Sequence, residues 1–202
     1  MEAFICLTAI AAPMWRENID TDQIISAKDL MKPQKTGFGD GLFAGWRYLE
    51  ARIENPDFIL NQNPYRNAKI LVAGANFGCG SSRENAVWAL RDFGIRAIIA
   101  PSFSSIFTAN CARNGVLVIS LPEASVSGLI DEISPDHASM TVDLEAERIR
   151  TPMGHDLIFR VPALDREMLL SGLDAIALTL SWSAQIDAFQ AQDREMRPWL
   201  WR

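Results

Sequence analysis

The chain has 202 residues, 49% of them apolar, and a formal net charge of −6. That is enough for one large domain around a single core, and the acidic balance weighs against a nucleic-acid-binding surface. No apolar run reaches the length of a membrane span, so no membrane partner is expected.

Residues 1–10 carry Glu2 and no basic start, and read as a first strand rather than a secretion signal, which makes the expected location cytoplasmic. The apolar, β-prone part is 4–11, and Pro13 breaks it. Asn18-Ile19-Asp20-Thr21-Asp22-Gln23-Ile24-Ile25 follows as a polar turn entering a short apolar element, with Asp20 and Asp22 as turn formers or helix caps. The segment lacks the glycine and the twelfth-position Glu of a calcium loop. Residues 28–41, with Lys32-Pro33 and Gly37, Gly39 and Gly41, are the most loop-like stretch and are expected to be either a mobile lid or disordered. Residues 42–49 look helical, and Pro56 and Pro64 bound an irregular passage.

From residue 68 the pattern becomes regular. Strands are expected at 70–73, 97–100 and 116–119, alternating with helices at 82–93, 103–112 and 123–133. That alternation indicates an α/β layer with largely parallel strands. Short β segments follow at 140–144, 148–150 and 157–161, and the tail 166–202 is mostly helical by periodicity. No repeat, low-complexity tract or linker divides the chain, so 1–202 reads as one domain with a helical C-terminal tail.

The most informative stretch is Gly74-Ala75-Asn76-Phe77-Gly78-Cys79-Gly80-Ser81-Ser82-Arg83-Glu84, between an apolar strand and an amphipathic helix. Its glycines permit tight turns and close approach of a ligand. The helix start brings unpaired N–H groups and a partial positive charge. Ser81, Ser82 and Arg83 stand at that same end, with either serine able to cap the helix. Such a terminus binds an anion, and Arg suits a carboxylate or phosphate bidentately. The phosphate motifs fit poorly: there is no Walker lysine, and Arg83 stands where the dinucleotide fingerprint needs a glycine.

Cys6, Cys79 and Cys111 are too few and too odd for a disulfide framework. They contain no Cys-x-x-Cys pair, so neither a cluster nor a metal site is expected on this chain. His137 and His155 lie in turn-like contexts, which disfavours a histidine metal site or a Ser-His-Asp triad.

Several blocks together resemble a known family: Asn18 to Ile25, Thr36-Gly37-Phe38-Gly39, Trp46-Arg47-Tyr48-Leu49, the run from Asn55-Pro56 to Asn61-Gln62, Gly78 to Glu84, and Pro101-Ser102-Phe103 through Asn110-Cys111 to Asn114-Gly115. Over nearly its whole length the chain is similar to the small subunits of 3-isopropylmalate dehydratase, the detached swivelling domain of the aconitase superfamily. The resemblance implies a three-layer β/β/α domain. It implies pairing with a large subunit that carries a [4Fe–4S] cluster on its own cysteines, and half of an active site on this chain. The reaction implied is dehydration and rehydration of a hydroxy-dicarboxylate in leucine biosynthesis.

By the same resemblance Ser81 is the catalytic base, Ser82 and Arg83 hold a substrate carboxylate, and Thr21 and Asp22 form the cluster-facing turn. Leu30 and Met31, in the early loop, are the candidates for contact with the alkyl arm. The chain departs from the family where Asn85 replaces a His, Ser26 a Pro, and Thr108-Ala109 an aromatic–Asn pair. Asn85 cannot carry a proton at neutral pH. The alternatives these departures leave open are a small subunit acting on citraconate, dimethylmalate or another alkylmalate, and a non-catalytic carboxylate-binding module.

Overall fold

The structure is a computed structural model that describes residues 1–30 and 36–201. Its centre is a seven-stranded sheet of order β4-β3-β2-β1-β5-β6-β7. These strands are β1 (Cys6–Met14), β2 (Ile70–Ala73), β3 (Ala97–Ala100), β4 (Leu117–Ser120), β5 (Ser139–Asp143), β6 (Arg148–Arg150) and β7 (Asp156–Ile158). β1 belongs to both halves. Cys6 to Ile10 pair antiparallel with β5, and Ala11 to Met14 pair parallel with β2. The parallel half, β1 to β4, is the run read from the sequence. Every residue of β2 and β3 is buried, which is why these strands read as unbroken apolar runs. β5 alternates, with Met140 and Val142 inward, as a strand with one wet face must.

The helices flanking the sheet include α3 (Glu84–Phe93), α4 (Ser105–Arg113) and α5 (Glu123–Glu132). α3 buries Ala86, Val87, Ala89 and Leu90, a single face at helical spacing. It stops where Gly94 turns left-handed and the Ile95 N–H reaches back to the Leu90 carbonyl, 2.9 Å. The mixed α/β class is as expected.

Pro13 does not end the first strand. The Ala11 N–H is donated sideways to the Ala138 carbonyl, 2.8 Å, on the β5 side. Two residues on, the Pro13 nitrogen faces the same side, where β5 offers no further partner, and β1 runs through it in register with Val72. A missing N–H costs nothing at such a position. The helix expected over 42–49 shrinks to α2 (Ala44–Arg47). Its start, Phe43, is left-handed, and Tyr48 is already extended and bridges to Glu54.

The segment expected to be a mobile lid or disordered is pinned at both ends. Ile25 bridges Leu42, and a Cβ on Gly41 would lie 2.9 Å from the Asp29 Cβ. Phe38 is buried, its N–H on the Asp92 carboxylate at 3.1 Å, and Gly39 lies against the end of α3. Met31, Lys32 and Lys35 lie outside the described residues.

The tail is helical as expected, but in pieces: α6 (Ala163–Ser171), α7 (Ala175–Ser181) and α8 (Ser183–Met196). Gly172 breaks it in a left-handed turn that holds the Met1 amino group on its carbonyl, 2.7 Å. Among the described residues, no helix is long and apolar enough to cross a membrane.

Candidate active site

Three turns converge at the carboxyl ends of β1, β2 and β3, where ligands bind in open α/β sheets. The turn after β2 is sewn to the turn after β3. The Phe77 N–H bonds the Ser102 carbonyl (3.1 Å), the Ser104 N–H bonds the Phe77 carbonyl (3.1 Å), and the Asn76 N–H bonds Ser102 Oγ (2.9 Å). It is sewn as tightly to the turn after β1. Gly78 donates to the Ile19 carbonyl (2.7 Å), and the Thr21 N–H to the Cys79 carbonyl (2.9 Å). Asp20 caps the short helix α1 (Thr21–Ile24) through a reciprocal pair with Gln23. Of its two readings as cap or turn former, the cap is the one found.

Glycine is required at Gly78. Its φ is +72°, and a Cβ there would sit against the Phe107 ring, 2.6 Å from Cδ1 and Cδ2. The ring of α4 thus forms the floor beneath the loop. Above it, the Ser81 carbonyl accepts two bonds, from Thr21 Oγ1 (2.9 Å) and from the Arg83 N–H (2.8 Å). Thr21 is only 2% exposed, so this tie is well shielded from water. It fixes the backbone at Ser81 while Ser81 and Ser82 stay exposed.

Neither serine caps the helix, contrary to expectation. Arg83 occupies the N-cap position of α3 and makes no side-chain cap bond. The serines lie one and two residues ahead of that position, where the loop is held by Thr21 instead. Their hydroxyls are therefore not consumed by a cap. The Arg83 guanidinium, 25% exposed, is ion-paired with Asp22, 56% exposed. The sequence-selected Thr21, Asp22, Ser81, Ser82 and Arg83 are thus brought together.

Leu30 is not brought with them. It is half-buried against the core at the end of a 3₁₀ turn, and does not line the hollow at Ser81. Ser104, Phe107 and Asn110 do line it, from α4 and the turn before it. They were quoted in the sequence only as part of a matching block, and their contact with Gly78 and Ser81 joins positions too far apart in the chain for spacing to show. Asn85 is half-buried in the first turn of α3.

The hollow bounded by these residues is about 10 Å³, room for one water and no more. A small organic molecule does not fit inside it, although a guanidinium and two exposed hydroxyls of the kind that suit an anion stand at its rim. The three thiols do not converge on a cluster site. Cys6 is exposed on β1, Cys79 is in the glycine turn, and Cys111 is fully buried on α4, its thiol pushed well up by burial. Among the described residues, no group of His, Cys, Asp or Glu is placed to hold a metal.

Comparison with known proteins agrees with this geometry. Residues 1–124 match the family model of the aconitase C-terminal domain, and 176–201 that of the C-terminal domain of the 3-isopropylmalate dehydratase small subunit. The chain is 52% identical over 200 residues to a 3-isopropylmalate dehydratase small subunit of Rhodospirillum centenum, with 98% of each chain covered. It is 50% identical over 204 residues to that of Cupriavidus necator, covering 99% of this chain and 98% of the relative. Among solved structures, 3-isopropylmalate dehydratase from Methanocaldococcus jannaschii superimposes with a TM-score of 0.68 at 28% identity, covering 91% of this chain and 99% of the other. A curled α/β sheet with a serine–arginine turn at the carboxyl end of β2, and full-length identity of this order, place the chain plainly: it belongs to the family of 3-isopropylmalate dehydratase small subunits.

Proposed function

We infer that this chain, acting as one unit, is the small subunit of a hydro-lyase that interconverts 2-isopropylmalate and 3-isopropylmalate by dehydration and rehydration in leucine biosynthesis, in the cytoplasm. The observation that carries the reading is an exposed Ser81 beside Arg83, on a backbone held rigid by Thr21, at a hollow too small to enclose a substrate. Such a surface is half of a site. A cluster-bearing large subunit would supply the other half, and the chemistry it would bring is Lewis acidity toward the departing hydroxyl.

The residues of this chain handle the proton and one carboxylate. Ser81 Oγ, as alkoxide, takes the proton from the carbon next to a substrate carboxylate. The C–H electron pair becomes the second bond of the alkene as the hydroxyl leaves. On rehydration the same oxygen returns the proton, to the carbon that formerly bore the hydroxyl. An alkoxide needs positive potential around it, and the N-terminus of α3 with Arg83 supplies that sign. Arg83 grips the carboxylate with its planar fork, and Ser82 adds a hydroxyl. The substrate takes the position at Arg83 that Asp22 holds in the free chain. The alkyl arm extends away from the Ser81 hollow, and Leu30, which stands outside that hollow at the start of the early loop, is the apolar surface proposed to meet it.

Asn85 in place of the family's His keeps a second reading alive: the same reaction on citraconate, dimethylmalate or another alkylmalate. Anaerobic reconstitution with the large subunit separates the two. Isopropylmalate is expected to give the highest kcat/KM among these alkylmalates, and a reversed ranking assigns the chain to the related hydratase. Ser81→Ala in the same complex should abolish turnover without loss of folding or assembly. A variant that keeps most of its kcat removes Ser81 as base; binding without turnover by the parent complex would leave a non-catalytic carboxylate-binding module.

A further inference from the structure

One side chain outside the hollow ties its two walls together. Asn114 follows α4, and all of its amide is used. Oδ1 accepts from the Trp88 indole N–H at 3.0 Å, while Nδ2 donates to Glu84 Oε1 at 2.9 Å and to the Asn110 carbonyl at 2.8 Å. Trp88 and Glu84 lie on one face of α3, a turn apart. Glu84 is the first residue of α3 and the immediate neighbour of Arg83. Asn110 lies on α4 and lines the hollow at Ser81. The amide's two ends are not interchangeable: an indole donor faces one, and two acceptors face the other.

We propose that Asn114 is a positioning residue for the reaction. It locks the first turn of α3 to α4 and so sets where Arg83 stands relative to Ser81. This rests on the reading of Ser81 and Arg83 given above. The chemistry of the clamp makes a specific demand. An isosteric carboxylate at 114 still accepts from Trp88, but opposes Glu84 with a like charge at hydrogen-bond distance. The two carboxylates can stay in contact only by sharing a proton. Among the described residues, charges beside the clamp include Arg83, next to Glu84, Arg113, exposed and facing Asp165, and Arg96, which is engaged by Glu2 and the Gly115 carbonyl.

The test is a cycle of N114D, E84Q and the double variant in the reconstituted complex, with kcat and KM followed against pH. The amide introduced by E84Q still offers Asn114 an acceptor oxygen, so that variant should remain near the parent. N114D should lose about 10- to 100-fold in kcat/KM, with the loss deepening as pH rises and the shared proton leaves. In the double variant the new amide on α3 donates to the new carboxylate after α4, which should recover the part of the loss owed to Glu84 and flatten the added pH dependence, while the lost bond to the Asn110 carbonyl keeps it short of the parent. The Trp88 indole resonance in the free chain reports the clamp without turnover and should shift with pH in N114D alone. A parental profile in N114D, or no recovery in the double variant, overturns the proposal. A parent complex inactive on every alkylmalate overturns the functional reading instead, and the indole resonance then decides the clamp by itself.

Discussion

Replacing Gly78 by Ala tests the floor of the site. Two costs add. The residue sits at φ +72°, a conformation that costs a side-chain-bearing residue about 1–2 kcal/mol. The new methyl also lands on the Phe107 ring, 2.6 Å from two ring carbons. That ring is buried and packed against Phe77, centroids 5.4 Å apart, so it has little room to yield. Overpacking of this kind costs about 1–3 kcal/mol, and the sum is about 2–5 kcal/mol. Gly80→Ala is the internal control. Its φ is +86°, but the nearest atom to its Cβ is the Asp20 Cβ at 3.4 Å, an ordinary contact. Only the backbone cost of about 1–2 kcal/mol remains. Urea unfolding of the isolated chain, followed by far-ultraviolet circular dichroism, reads both. At a slope of about 2 kcal/mol/M, Gly78→Ala should lower the midpoint by about 1–2.5 M and Gly80→Ala by only about 0.5–1 M. Equal midpoints for the two variants, with equal slopes, would refute the assignment of Phe107 as the floor.

Arg83→Lys should raise KM and sharply lower kcat in the reconstituted complex, because Lys keeps the charge but not the two-donor fork; near-parental kinetics would make Arg83 only the ion-pair partner of Asp22. Leu30→Arg should shift the ratio of kcat/KM from isopropylmalate toward homoaconitate by about 1–3 kcal/mol, and an unchanged ratio, measured on both substrates, removes Leu30 from substrate choice. Glu147 is held below its ordinary carboxylate value of 4.5, chiefly by the Val161 N–H at 3.0 Å, against burial, and helped by Arg160. Its folded pKa is lower than its unfolded one, so its stabilisation is complete above the ordinary value and lost as pH falls through the lowered one. The melting temperature of the parent should therefore fall more steeply than that of Glu147→Gln between about pH 5 and pH 3; parallel curves would show that the bond to Val161 contributes nothing.

Much of the fold was legible because burial on both faces leaves a local mark. β2 and β3 are unbroken apolar runs, the intervening helix shows one apolar face, and Arg148 to Arg150 alternates as a strand with one wet face. The serine–arginine turn was legible for a similar reason, since glycines, hydroxyls and a cation stand within a few residues of each other. Elements whose limits depend on a partner were misread. Pro13 stays in a strand because β5 has ended beside it, and 42–49 breaks after Arg47 because Tyr48 pairs with Glu54 instead of continuing the helix.

The sequence by itself therefore determined which groups the chain brings together: an arginine of the kind that suits a carboxylate, serines beside it, and cysteines without Cys-x-x-Cys spacing. Only the tertiary structure decided how these groups stand. Thr21 reaches the Ser81 carbonyl across 60 positions, Asn114 reaches Glu84 across 30, and Phe107 lies under Gly78. Contacts of that kind leave no periodicity in the chain. They exist because parallel pairing brings the ends of β1, β2 and β3 side by side, and a turn's environment is then set by its neighbours in the sheet and not by its neighbours in sequence.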